Sequence, residues 1–129
     1  MTWFWVALGG ALGSIGRYGV GELLPERDGA DFPKAILLVN TVGSLLIGIF
    51  AGLLVYDSRW NQPGFREFLI IGFCGGFTTF STFSLQTLKL LHAQQWIKAT
   101  RNITISVVIC ICCTGLGMWC AQMLKPNQP

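Results

Sequence analysis

The chain alternates long apolar stretches with short polar links, and the apolar stretches are too long for core helices of a water-soluble domain. Crossing the hydrocarbon of a bilayer takes about 20 mostly apolar residues per helix. Four segments of that length stand out, at about residues 3–24, 36–56, 67–91 and 103–124. The linkers are turn-like: ERDGADFPK holds half of the acidic residues, and DSRWNQPG carries Asn61, Pro63 and Gly64. Trp3, Trp5, Trp60 and Trp96 fall near the segment ends, where amphipathic rings anchor at the membrane–water boundary. The pattern predicts an all-α integral membrane protein, one four-helix domain over residues 1–129, with both termini on the same side.

Within the segments the polar residues are themselves ordered. The first, WFWVALGGALGSIGRYGVGELL, has glycines at 9, 10, 13, 16, 19 and 21, and small residues at such spacing let helices approach closely in lipid. Ser44, Gly48 and Gly52 repeat the device in the second, which also carries Asn40 one turn in. The glycine faces of these two segments are candidates for contact between subunits. Asn102, Ser106, Cys110 and Thr114 recur every four residues in the fourth segment and so form one polar stripe.

The third segment contains GFCGGFTTFSTFS, residues 72–84. Gly75 and Gly76 weaken a helix, while Thr78, Thr79, Ser81, Thr82 and Ser84 offer partners to the backbone groups that a break would release. Two conformations satisfy these residues: a helix broken at mid-membrane and covered by protein or water, or a continuous helix packed tightly through its small residues. Broken helices are how transport proteins present bare carbonyls and helix ends to ions. Phe73, Phe77, Phe80 and Phe83 share one face of an unbroken helix. Such a stripe is usually packing, yet a phenyl ring has a positive edge, so rings set edge-on can line a water-poor path for an anion.

Composition narrows the chemistry. Hydrophobic residues make up 52% and charged residues 12%, about half the charged share of soluble domains. A net charge of +3 spread along the chain does not suit nucleic acid. The first apolar run has no basic region before it, so it is expected to remain attached and not to act as a signal peptide. Five cysteines all lie in apolar segments and read as small packing residues, not as a metal or disulfide set. His92 is the only histidine and stands at a segment end without an acid or nucleophile arranged around it, so no enzyme is expected. Arg17, charged and inside the first segment, either snorkels to the interface or gives a vestibule a positive field that gathers anions. Loop cations divide as Arg59, Arg66 and Lys125 against Arg27, Lys34, Lys89, Lys98 and Arg101, a modest bias compatible with one preferred orientation or with insertion both ways.

GGALGSIGRY (9–18), LVNTVGSLLIG (38–48), GFCGGFTTFSTFS and a fourth segment bearing Asn, Ser and Gly together closely resemble the Fluc-type (CrcB) fluoride channel family over essentially the whole chain. The resemblance implies a passive, fluoride-selective channel in the bacterial inner membrane that releases cytoplasmic fluoride and lowers its toxicity. It implies an antiparallel, dual-topology homodimer with two fluoride pathways and a structural sodium ion on the central two-fold axis. By the same resemblance, Phe80 and Phe83 are the paired pore rings, and Gly75 and Thr78 supply backbone carbonyls to sodium. Asn40 lies near the aqueous vestibule, Ser106 and Thr114 belong to the polar track, and Ser81 and Thr82 lie near the ion path. Asn102 and Cys110 depart from the Tyr and Ser expected there. Two other readings remain: a proton-coupled multidrug transporter of the small four-helix kind, which needs a mid-membrane carboxylate absent from these segments, and a non-transporting assembly protein.

Overall fold

A computed structural model describes residues 1–26 and 31–124; Arg27 and Lys125 of the two loop-charge groups lie outside them. Among the described residues every regular element is helical. Helix α1 spans Thr2–Leu23 and α2 spans Lys34–Tyr56, followed by a 3₁₀ turn at Ser58–Trp60. A π-helix, Glu67–Cys74, runs into the single turn α3 (Gly75–Phe77), and after Thr78 and Thr79 the chain resumes as α4 (Phe80–His92). Helix α5 spans Trp96–Met123. Three helical stretches, Lys34–Tyr56, Glu67–His92 and Trp96–Met123, are long and apolar enough to cross a membrane. Helix α1 has the length, at 22 residues, but its glycines and Arg17 dilute its hydropathy.

The last helix begins earlier than the pattern predicts. Residues 96–102 were expected in a polar link, whereas Ala99 and Asn102 are buried within α5. The link shrinks to Ala93–Gln95, and Gln94 takes a positive φ of 61° to make the turn. At 1.5 Å per residue the 28 residues of α5 reach about 42 Å, well beyond a hydrocarbon core of about 30 Å. Its first turns therefore suit the headgroup region. There the Arg101 guanidinium stacks over the Phe32 ring, 4.7 Å from its centroid.

Glycine contacts assemble the bundle from two pairs. A methyl group on Gly9 would meet the backbone of Phe68 and Phe73, and one on Gly13 would meet the Phe73 carbonyl and, at 2.7 Å, the Phe77 amide. Helix α1 thus lies backbone to backbone on the π-helix and α3. On the other side Gly48 faces Thr114, Gly52 faces Met118 and Ala121, and Gly117 faces Leu45 and Ile49, which seats α2 on α5. Most glycines of the first two segments, which were candidates for contact between subunits, thus have a partner inside the subunit. In lipid, where burial of apolar surface gives little drive, close approach inside one subunit is what holds its helices together. Gly19, Gly21 and Gly115 meet nothing within 4 Å.

Candidate functional site

The site begins at the interruption between α3 and α4. Thr78 and Thr79 are extended (ψ 158° and φ −152°), while Cys74 and Gly75 before them are helical. Thr78 still closes the preceding turn, its amide donating to the Cys74 carbonyl at 2.9 Å and its hydroxyl to the same oxygen at 2.8 Å. The next amide leaves the ladder. Thr79 N–H donates instead to Asn40 Oδ1 (2.8 Å), and Asn40 Nδ2 donates to the Thr79 carbonyl (3.1 Å). One carboxamide from α2 therefore serves the donor and acceptor of a single peptide residue, as a neighbouring strand would. Without that pair, two backbone groups would stand unsatisfied in an apolar surrounding.

Two charge features flank the break. On its carbonyl side Arg17 Nη1 lies 3.4 Å from the Thr78 oxygen, a cation at the negative end of a helix. The Arg17 guanidinium is thereby turned toward the interruption in the helix. On the other side α4 opens with Thr79 as its N-cap, whose Oγ1 accepts the Thr82 amide at 3.2 Å. The same oxygen lies 3.2 Å from Ser81 Oγ and donates to Thr82 Oγ1 at 3.1 Å. Ser81 and Thr82 thus belong to the cap, not to the wall of the adjoining cavity.

That cavity has a volume of about 300 Å³. Thr78, Thr79, Phe80 and Phe83 form one wall, Asn40 and Ser44 a second, and Ser106 and Cys110 of α5 a third. The Phe80 and Phe83 rings stand 5.5 Å apart at 41°. Phe80 is 78% exposed, so its outer face is open to whatever adjoins the subunit. The expected single face of four rings is split. Phe73 and Phe77 stack in parallel at 5.8 Å before the break, with Phe77 buried beside Gly16 and Gly43, because the extended pair Thr78–Thr79 re-aims everything after it.

Residues 4–118 match the family described as CrcB-like protein, Camphor Resistance (CrcB). The chain belongs to the CrcB family. It is 46% identical over 120 residues to a protein of Rhodospirillum rubrum, covering 92% of this chain and 90% of that one. A relative from Opitutus terrae is 45% identical over 117 residues (89% and 88% covered), and one from Nitrobacter winogradskyi 49% over 107 (82% and 83%). Each of the three is named Fluoride-specific ion channel FluC. Membership of this family and the three long apolar stretches make the chain a multi-pass membrane protein.

In this CrcB chain the polar stripe of α5 divides between two tasks. Ser106 reaches the cavity and Cys110 lines it beside Ser106. Thr114 does not: its hydroxyl donates to the carbonyls of Ser44 (3.1 Å) and Cys110 (3.0 Å), fastening α5 to α2. Asn102 is buried and donates to Thr87 Oγ1 (2.9 Å), which in turn donates to the Phe83 carbonyl (2.8 Å). Ser106 Oγ closes this chain on Asn102 Oδ1 at 3.4 Å. Thr79 is the hub of the site, a role the sequence reading did not assign to it, although a threonine just before a helix start is an N-cap signal. Among the described residues no cluster of three His, Cys, Asp or Glu side chains could hold a metal.

Proposed function

We propose that this protein is a passive fluoride channel, and that the cavity beside the broken segment is half of an ion path completed by a second, antiparallel copy of the chain. The observation that carries the reading is the cavity's lining: Phe80 and Phe83 together with Asn40, Thr79 and Ser106, with no carboxylate among them. Ring edges and O–H or N–H groups replace the water of a small anion without a fixed cation that would trap it. The names of the relatives point to the same ion. An uncoupled channel also needs no proton carrier, whereas an antiporter needs a titratable acid in the path.

Four crossings complete the topology, with α1 as the least apolar and the Thr78–Thr79 interruption near the middle of the Glu67–His92 span. A second copy covers the exposed Phe80 ring, in the inner membrane of a bacterial cell. Fluoride enters cells as the neutral weak acid and ionises inside, so passive efflux of the anion down its electrochemical gradient is enough to detoxify.

The residues at the break also suit a structural sodium ion. Turning the Thr79 amide to Asn40 removes the hydrogen bond that the Gly75 carbonyl would accept in a continuous helix, and the Thr78 carbonyl carries only the long Arg17 contact. Carbonyl oxygens are hard ligands that replace the hydration shell of an alkali cation. Gly75 and Thr78 from each of two copies would hold it, and the ion would supply fixed positive charge at the interface. The test is efflux from liposomes carrying the purified protein. Fast fluoride loss without proton coupling, and lost when sodium is withdrawn, is the expected result; chloride flux of equal size or no flux at all would reject the reading.

A further inference from the structure

The buried chain Phe83 carbonyl–Thr87–Asn102–Ser106 has a direction. The Asn102 amide nitrogen donates to Thr87, so its oxygen faces Ser106, whose hydroxyl is its nearest donor. Ser106 therefore turns lone pairs to the cavity. An anion there meets an acceptor. The weak link is visible: the Ser106 contact is 3.4 Å, long for an O–H donor, whose usual range ends near 3.0 Å, while the other two are 2.9 and 2.8 Å.

We propose that Asn102 is a positioning residue for anion passage: a half-turn of its buried carboxamide converts Ser106 from an acceptor into a donor facing the cavity. The inference rests on the anion-channel reading above. The two ends of a carboxamide have nearly the same shape, so the half-turn needs no new space. With the amide reversed, Asn102 Nδ2 donates to Ser106 Oγ, freeing the serine proton for the ion. Asn102 Oδ1 then accepts from the Thr87 hydroxyl. The Phe83 carbonyl loses that hydroxyl but keeps its place in the backbone ladder of α4. Every buried group stays bonded in both states, which is what lets the chain reverse at little cost. The switch needs one donor and one acceptor on a pivot that is 1% exposed, and a carboxamide of this length supplies both.

The test is a double-mutant cycle on the full chain in liposomes. In Asn102→Ala the Ser106 hydroxyl falls back on the carbonyl four residues before it, as Ser84 and Thr87 do, and fluoride flux drops by about threefold to tenfold, the worth of one hydrogen bond. In the Ser106→Ala background the same substitution costs nothing further, because its effect runs through the Ser106 proton. Wild-type protein with ¹⁵N-labelled asparagine supplies a second readout that does not depend on the variant folding. Fluoride shifts the Asn102 side-chain amide resonance, and Ser106→Ala abolishes that shift. An equal cost of Asn102→Ala in both backgrounds, or a resonance unmoved by fluoride in a protein that conducts it, overturns the switch alone. A wild-type protein that conducts no fluoride overturns the channel reading and the switch together.

Discussion

Asn40 and the ring pair show how single side chains divide between holding the break and lining the cavity. Asn40 holds: both ends of its amide are spent on Thr79. Replacing it by Asp keeps the shape and the acceptor but removes the donor, and sets a carboxylate oxygen against the Thr79 carbonyl. Losing one satisfied buried bond costs about 1–3 kcal/mol, and the added negative charge repels an anion. Asn40→Asp should lower the unfolding temperature in detergent and cut fluoride flux sharply; wild-type values for both would remove Asn40 from the site. Phe80 and Phe83 line the cavity. On the ring-edge argument, Phe80→Ile or Phe83→Ile retains apolar bulk and loses the positive edge, so conduction should fall by more than about tenfold, the scale of 1.4 kcal/mol in a barrier. Rings that only pack would leave liposome flux intact in a protein that still assembles. The ring pair was legible in the sequence because an i, i+3 spacing places residues on one helix face. The Asn40–Thr79 pair was not, since its partners stand 39 positions apart and meet only through packing.

At the scale of elements, the glycines report where helices touch. Gly13→Ala would drive a methyl into the Phe73 carbonyl and within 2.7 Å of the Phe77 amide, and backbone cannot step aside as a flexible side chain can. Overpacking of this kind costs about 1–3 kcal/mol. Gly19→Ala meets open space and gains up to about 1 kcal/mol of helix propensity. Thermal unfolding in detergent should therefore separate the two variants in opposite directions, and equal effects would contradict the seating of α1 on the π-helix. The sequence signalled that these glycines make close contacts but not with what. A small-residue stripe reads alike whether its partner is a neighbouring helix or another copy. The π-helix at Glu67–Cys74 left no trace in the hydropathy pattern, because widening the turn by one residue changes the backbone ladder and not the residue types. Likewise the early start of α5 was hidden by Lys98 and Arg101, which look like loop residues but belong to the part of a long helix that extends past the hydrocarbon.

For the whole molecule, orientation is the property that would join these parts into a channel. The end of the bundle that carries the 57–66 link bears Arg59 and Arg66, and Arg59 is bound to Asp57 at 2.6 Å. The opposite end bears Lys34, Lys89, Lys98 and Arg101, with Arg101 drawn over Phe32. Cations near the ends of spanning helices set topology, and acids weigh little in that rule, so the balance of two against four described cations is a weak bias. So weak a bias is compatible with one preferred orientation or with insertion both ways, and the proposed antiparallel pair needs both. A cysteine placed in the polar link, Gln62→Cys, tests this in sealed membrane vesicles with a maleimide that cannot cross the bilayer. If the chain inserts both ways, about half of the protein is labelled from outside and the rest only after the membrane is opened. Labelling that is complete from one side would mean a single orientation. The second copy over Phe80 would then have to be parallel, and the two breaks could not face each other across an in-plane two-fold axis.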